Sequence, residues 1–264
     1  MGVLSTYVCN KMLDHILKTG SYSQPTNIYV ALFDGDPEGA GIECSGATYA
    51  RVQANGWSNA TSRALSNEAK IEFPEAGNDW GNVNYIALYD AITGGNLLGK
   101  DDIDEITVNE GDNLYIAIGD IDISIGAGGI CNTYAEAFLD HIFKNDPLSV
   151  PTNLYVGYST ANIEDDASGL AGGEPSGNGY ARKNFNTWNG AANKATDNNG
   201  AILFDAASGG AHGTITHFFI ADHLSNQTES NIIFYGPLDS SVVIGDGDQL
   251  NFPDGDLDIE IDGA

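Results

Sequence analysis

Two Asp-His dipeptides, Asp14-His15 and Asp140-His141, are the residues whose types most invite chemistry, since a carboxylate can orient an imidazole as a base. Each lies in the same tetrapeptide, Leu-Asp-His-Ile, within an amphipathic stretch. Helical neighbours at i and i+1 do not face one another, and no Ser or Cys nucleophile recurs beside either pair. The pairs therefore read as structural, for instance as a hydrogen bond anchoring helix to sheet. His212, His217 and His223 form a second cluster. In a strand its outer members would lie about 36 Å apart, so a metal site would require the chain to fold back. Asp34-Gly35-Asp36-Pro37-Glu38-Gly39 begins like a calcium loop, but Ser45 stands where a bidentate Glu belongs and Pro37 intrudes, which excludes an EF-hand. Asp246-Gly247-Asp248 and Asp254-Gly255-Asp256 read as tight turns. There is no Walker A sequence, GxSxG, HExxH or dinucleotide fingerprint. The sequence thus assigns no catalytic, cofactor-binding or metal-ligating residue, no cofactor and no enzymatic activity.

Charge narrows the partners. The 264 residues carry 37 Asp and Glu against 10 Lys and Arg, a net charge of −27. Such a surface repels phosphate backbones and anionic headgroups, so neither nucleic acid nor a membrane surface is expected as a partner. Cys9, Cys44 and Cys131 are too few and too scattered for a disulfide framework and contain no CxxC pair, which fits assembly in a reducing compartment. Lys11, Asp14, His15 and Lys18 interrupt the N-terminal stretch, which reads as neither signal peptide nor membrane span.

The elements that position these residues come in two copies. Leu13-Asp14-His15-Ile16 recurs 126 residues later as Leu139-Asp140-His141-Ile142, and Pro25-Thr26-Asn27-Ile28-Tyr29-Val30 recurs as Pro151-Thr152-Asn153-Leu154-Tyr155-Val156. Tyr49-Ala50-Arg51 matches Tyr180-Ala181-Arg182 at an offset of 131, and Gly111-Asp112-Asn113-Leu114 matches Gly247-Asp248-Gln249-Leu250 at 136. The offset grows within Gly/Asn/Ser-rich stretches, as loop insertions in a shared fold would make it. The division predicted is a first β-rich unit at 1–126, a flexible Gly-rich linker at 127–130 and a second unit at 131–264.

Each unit opens on an amphipathic helix. Val8, Met12 and Ile16 define its apolar stripe in the first, with Gly20 as the stop; Tyr134, Phe138 and Ile142 define it in the second, with Thr133 and Glu136 spaced as a capping box. Strand-like runs follow at 27–33, 83–89 and 215–221. The C-terminal runs alternate, Ile121, Ile123 and Ile125 against Asp120, Asp122 and Ser124, then Leu257, Ile259 and Ile261 against Asp256, Asp258, Glu260 and Asp262. Period two with an acidic face predicts half-buried antiparallel strands. The fold class is mainly β: two tandem β-sandwich or jelly-roll-like domains, each preceded by one short N-terminal α-helix.

In this order the motifs resemble a family of small tailed-bacteriophage virion proteins commonly labelled tail-fibre or structural proteins of the Gp80 type. The carriers are Pro25 to Phe33, Ser45 to Arg51, Trp80 to Val83, Asp90 to Leu98 and Gly111 to Leu114, then Pro151 to Val156, Ser176 to Arg182, His212 to Ile215 and Phe234 to Leu238. The units depart from each other where His212 replaces Trp80 and where Leu98-Gly99-Lys100 stands in place of Tyr235-Gly236-Pro237. The resemblance implies a virion component assembled in the host cytoplasm. Compact units without heptads or shaft repeats favour a protein that decorates or cements the capsid exterior through multivalent contacts. Its partners would be the major capsid protein, other virion proteins or copies of itself. The alternative is a tail-fibre or tail-appendage component binding a receptor or carbohydrate on the host, with Trp57 and Trp188 as stacking platforms.

Overall fold

The helices form where the apolar spacing predicts them. In the computed structural model, which describes residues 2–261, a short strand β1 (Gly2–Leu4) precedes α1 (Thr6–Ile16), whose Val8, Cys9, Met12, Leu13 and Ile16 are buried. The first unit continues with β2 (Tyr29–Asp34), β3 (Ile42–Glu43), β4 (Val52–Gln53), β5 (Ala64–Ser66), β6 (Ile71–Glu72), β7 (Gly81–Tyr89), β8 (Leu97–Val108), β9 (Tyr115–Ile116) and β10 (Asp122–Ser124). The second unit has α2 (Asn132–Phe143), β11 (Tyr155–Ser159), β12 (Lys183–Asn184), β13 (Ala195–Thr196), β14 (Ile202–Leu203), β15 (Gly213–Ala221), β16 (Ile232–Ile244), β17 (Asn251–Phe252) and β18 (Ile259–Glu260). The fold is mainly β, in two roughly equal halves, as the repeat predicts.

The helix ends differ from the sequence expectation. Thr133 lies inside α2, which starts after Cys131 without a side-chain cap. A distant carboxylate replaces the capping box: Glu229 Oε1 accepts from the Thr133 N–H at 3.0 Å. Glu38 Oε1 does the same for the Thr6 N–H at 2.7 Å, while Ser5 Oγ accepts from the Val8 N–H. Each unit thus sets an acid at the positive end of its helix dipole. The left-handed residue that ends α1 is Lys18 (φ 68°), two positions before Gly20.

In the first unit β3-β2-β7-β8-β1-β10-β5 form one sheet, with β4 also paired to β2 and β6–β9 forming a separate pair. The second has a four-stranded sheet, β12-β11-β15-β16, and the pairs β13–β18 and β14–β17. The difference has a local cause. The counterpart of β1 is reduced to a single bridge, Ile130 with Phe234, because Gly128 (φ 91°) and Gly129 (φ 76°) turn the chain out of the extended region just before it. The long hairpins β7–β8 and β15–β16 share a register shift, at Val83/Tyr85 and at Ile215/His217, which bends both at the same place.

The alternation at the C-terminal strands is observed. Ile121, Ile123, Ile125, Leu257, Ile259 and Ile261 are buried, and Asp256, Asp258 and Glu260 are exposed; Asp262 lies outside the described residues. Ser124 is the exception, buried because β10 pairs in parallel with β1 on one side and antiparallel with β5 on the other. A buried asparagine fixes each of these strands. Asn67 Oδ1 accepts from the Ile121 N–H, and its Nδ2 donates to Ala69 O and Ala117 O. Asn198 accepts from the Asp256 and Leu257 N–H groups and donates to Gly200 O and Pro253 O. Replacing either by Ala orphans a buried backbone N–H, that of Ile121 or of Leu257, at about 1–3 kcal/mol, and releases two or three half-buried backbone groups besides. Urea titration of Asn67→Ala and Asn198→Ala should show clearly lowered midpoints; unchanged midpoints would mean that water takes over these bonds.

Candidate functional site: the interface between units and two clamped loops

The two Leu-Asp-His-Ile helices meet. Asp14 Oδ1 on α1 accepts from the Ala191 N–H of the second unit at 2.9 Å, and Asp140 Oδ1 on α2 accepts from the Ala60 N–H of the first at 2.9 Å. Asn10 Oδ1 accepts from the Lys194 N–H at 2.8 Å, and Glu136 Oε1 from the Arg63 N–H at 3.4 Å. Each helix therefore grips the loop before β13 or β5 in the opposite unit, and corresponding residues make corresponding bonds. This is a pseudo-twofold, isologous interface built within one chain. Lys18 donates to Thr152 O and Lys144 to Asn59 Oδ1, extending it at both ends. Trp57 packs on Phe143 of the other unit with ring centroids 5.0 Å apart, and one buried apolar cluster runs through both halves. The Asp-His pairs are structural, as their spacing indicates, but they anchor unit to unit rather than helix to sheet.

The histidines stack at the centre. The His15 and His141 rings lie 5.5 Å apart, and Tyr22 meets His141 edge-on. His15 Nδ1 accepts from the Tyr22 N–H, so its protonated Nε2 donates across the interface to Leu148 O at 3.2 Å. His141 Nδ1 is 2.7 Å from Asp146 O and 3.1 Å from Leu148 N, and its tautomer selects between them. Burial, reinforced by His15, lowers the His141 pKa below its ordinary value.

The linker is held by a residue the sequence reading missed. Arg63 is buried with φ 65° and donates to Ile125 O, Gly126 O and Ile130 O, and it pairs with Asp165 at 3.2 Å. The Gly-rich segment is thus clamped rather than a free tether.

A second repeated device explains the Tyr-Ala-Arg motif. Arg51 lies in a fork against Glu43 (Nε 2.8 Å, Nη2 2.7 Å), and Arg182 repeats this with Glu174 (2.7 and 2.8 Å). Tyr49 and Tyr180 donate to the same carboxylates. The guanidinium groups rest over the Tyr89 and Phe219 rings at 3.6 and 4.7 Å. Their remaining donors point outward into a surface loop. Arg51 Nη1 reaches Ala91 O and Gly94 O, and Arg182 reaches His223 O and Asn226 O. The glutamates stand eight residues before their arginines in both units, the same 131-residue offset that the motif shows, and that was the signal available.

The other residues singled out from sequence scatter. His212 is buried, bonded to Tyr158 Oη at 2.7 Å and to Asn178 O at 2.9 Å, while His217 contacts Thr216 and His223 lies in the clamped loop. His212 and Trp80 serve alike: Trp80 Nε1 donates to Ala47 O, the counterpart of Asn178 O. Asp36 pairs with Lys100 at 2.6 Å. Partial burial would raise the Asp36 and Glu38 carboxyls, but hydrogen bonds from Lys100 and from backbone N–H groups hold both below their ordinary values. Asp246, Asp248 and Asp254 accept from backbone N–H groups of turns. Trp57 and Trp188 are buried core residues and offer no stacking platform. Burial pushes the Cys44 thiol up to about 11 and Cys131 to about 12, away from thiolate chemistry near neutral pH. Among the described residues no group of three or more His, Cys, Asp or Glu is placed to hold a metal ion, and no helix is long and apolar enough to cross a membrane.

Fold and site together define a class: a tandem β-rich module whose repeated polar residues join two units and brace two loops. The chain belongs to the family described as podophage GP4 fiber I protein gp80, whose model matches it twice, over residues 3–124 and 129–260. No curated protein matches the chain.

Two expectations follow. A protease site inserted between Gly126 and Gly129 should, once cut, leave the halves co-eluting in size-exclusion chromatography, and Asp14→Ala with Asp140→Ala should let them separate; halves that part in the wild type would refute a self-sufficient interface. For pH, a histidine titrating lower folded than unfolded stabilises fully above its ordinary value of 6.5, and that contribution is lost as pH falls through the lowered folded value. Between about pH 7 and about pH 5 the wild type should therefore lose more stability than His141→Gln in urea titrations. Parallel slopes would remove His141 from the account.

Proposed function

We propose that the chain is a non-enzymatic structural component of a tailed-phage fibre, in which the two units act as one rigid block with two related binding faces. The observation that carries this reading is that both halves match a fibre-protein family, over residues 3–124 and 129–260, and are then locked to each other by reciprocal hydrogen bonds. A flexible tether would give avidity through effective concentration alone; a fixed pseudo-twofold block also sets the spacing and direction of its two faces, so that less freedom is lost when both engage.

The family description moves the favoured position from the capsid shell to a fibre. The polar residues that recur in both units support a structural role: Asp14, Asp140, Asn67, Asn198, Arg51 and Arg182 all spend their hydrogen-bonding capacity within the chain. The partners proposed are other virion proteins of the fibre and its attachment site.

Cryo-electron microscopy of the intact particle tests the position. Density for this chain at a tail appendage, in the few copies a fibre requires, is the expected result. Many copies spread over the shell against the major capsid protein would overturn it in favour of decoration.

A further inference from the structure

The two clamped loops present the same feature at their tips. The first is closed by Asp90 and Asn96, whose carboxylate accepts from the Asn96 N–H at 2.6 Å and from its Nδ2 at 2.7 Å. The second is closed by Asp222 and Asn231, joined by a backbone bond at 3.0 Å and by Asn231 Nδ2 to Asp222 Oδ1 at 2.8 Å. Buried arginines brace both from beneath through backbone carbonyls. At corresponding positions on these loops stand Ile92 and Leu224, 53% and 55% exposed. A single exposed aliphatic residue is ordinary. An aliphatic residue at the same point of both units, on loops each held by an Arg–Glu fork, is a preorganised anchor, since little freedom remains to be lost when it binds.

We propose that Ile92 and Leu224 are the anchor side chains of the two related docking faces, one on each unit, for a partner protein that offers apolar sockets rimmed by lysine or arginine. The aliphatic tips favour a protein socket over a sugar, which is gripped by exposed aromatic faces. The basic rim follows from charge. The chain has 37 acidic residues, and of its 10 cationic ones Arg51, Arg63, Arg182, Lys70, Lys100 and Lys183 are ion-paired internally. An approaching surface meets a strongly negative field, which a second copy of this chain would oppose and a basic rim would complement.

The inference rests on the fibre reading for the identity of the particle, and the test separates the two. Fluorescently labelled chain is titrated onto purified particles assembled without it. Wild type should rebind, and Ile92→Ser with Leu224→Ser should weaken rebinding at least tenfold while leaving the melting curve unchanged. The swap Ile92→Leu with Leu224→Ile should retain binding. So should Ile42→Ser, which removes a more exposed aliphatic (73%) that has Gly173 as its counterpart and lies on no clamped loop. Raising salt from about 50 to about 500 mM should weaken wild-type rebinding. Failure of the wild type to rebind overturns the fibre reading and this inference with it. Equal rebinding of the serine variant, or binding indifferent to salt, overturns this inference alone. Sedimentation equilibrium showing self-association that the serine variant abolishes would assign the loops to a second copy and overturn it too.

Discussion

Two carboxylates, Asp14 and Asp140, each accept a backbone N–H from the opposite unit, and most of the molecule is arranged around making that exchange possible. A helix aspartate can reach a loop amide in another unit only if the helix lies against that loop. The loops before β5 and β13 satisfy this with residues held at positive φ: Ser62 and Arg63 in one, Asn193 and Lys194 in the other. These conformations are costly for residues other than glycine. Each pair sits in a two-residue turn closed by its own unit, Thr61 with Ala64 and Ala192 with Ala195, and the turn directs the Arg63 and Lys194 amides toward the opposite helix. The helix ends are braced in turn by Glu38 and Glu229 from within their own units, and the histidine rings fill the space between the helices.

The duplication tolerates exchange where a bond can be made by a different group, and preserves identity where geometry is demanding. Trp80 and His212 donate to equivalent carbonyls with different rings, so the donor matters more than the residue. Arg51 and Arg182 are both arginine because a planar fork must satisfy a carboxylate in two bonds, rest on a ring and still reach a loop carbonyl. Lysine offers a point charge and could not do all three. Arg63 and Lys194 show the opposite outcome. They share a backbone conformation, but Arg63 sits beside the segment that joins the units and donates to its Ile125, Gly126 and Ile130 carbonyls.

What the sequence revealed and what it concealed follow from the range of the interactions. The repeat, the helices and the alternating strands rest on local periodicity, and were legible. The capping box at Thr133 was misread because the helix amide finds its acceptor in Glu229, distant in sequence and near only in the fold. The reach of Asp14 and Asp140 was hidden for the same reason: dipeptide spacing says which way a side chain points along a helix, not which unit it meets. The clamps were half visible, as Tyr-Ala-Arg recurs, but their glutamates blend into a chain rich in acids. Trp57 and Trp188 read more readily as core than as platform from their place after the Tyr-Ala-Arg segments, and burial decides for the core.

Fusing the partners of a twofold into one polypeptide has an evolutionary consequence. In a homodimer any substitution appears twice, so both faces must stay identical, and a change that suits one contact is imposed on the other. Here each face can drift by itself while the dyad contacts keep the halves together. The second clamped loop is already three residues longer than the first, and the sheet continuous in one half is divided in the other. A block of this kind can join neighbours that obey different rotational symmetries, which a strictly symmetric dimer cannot do without strain.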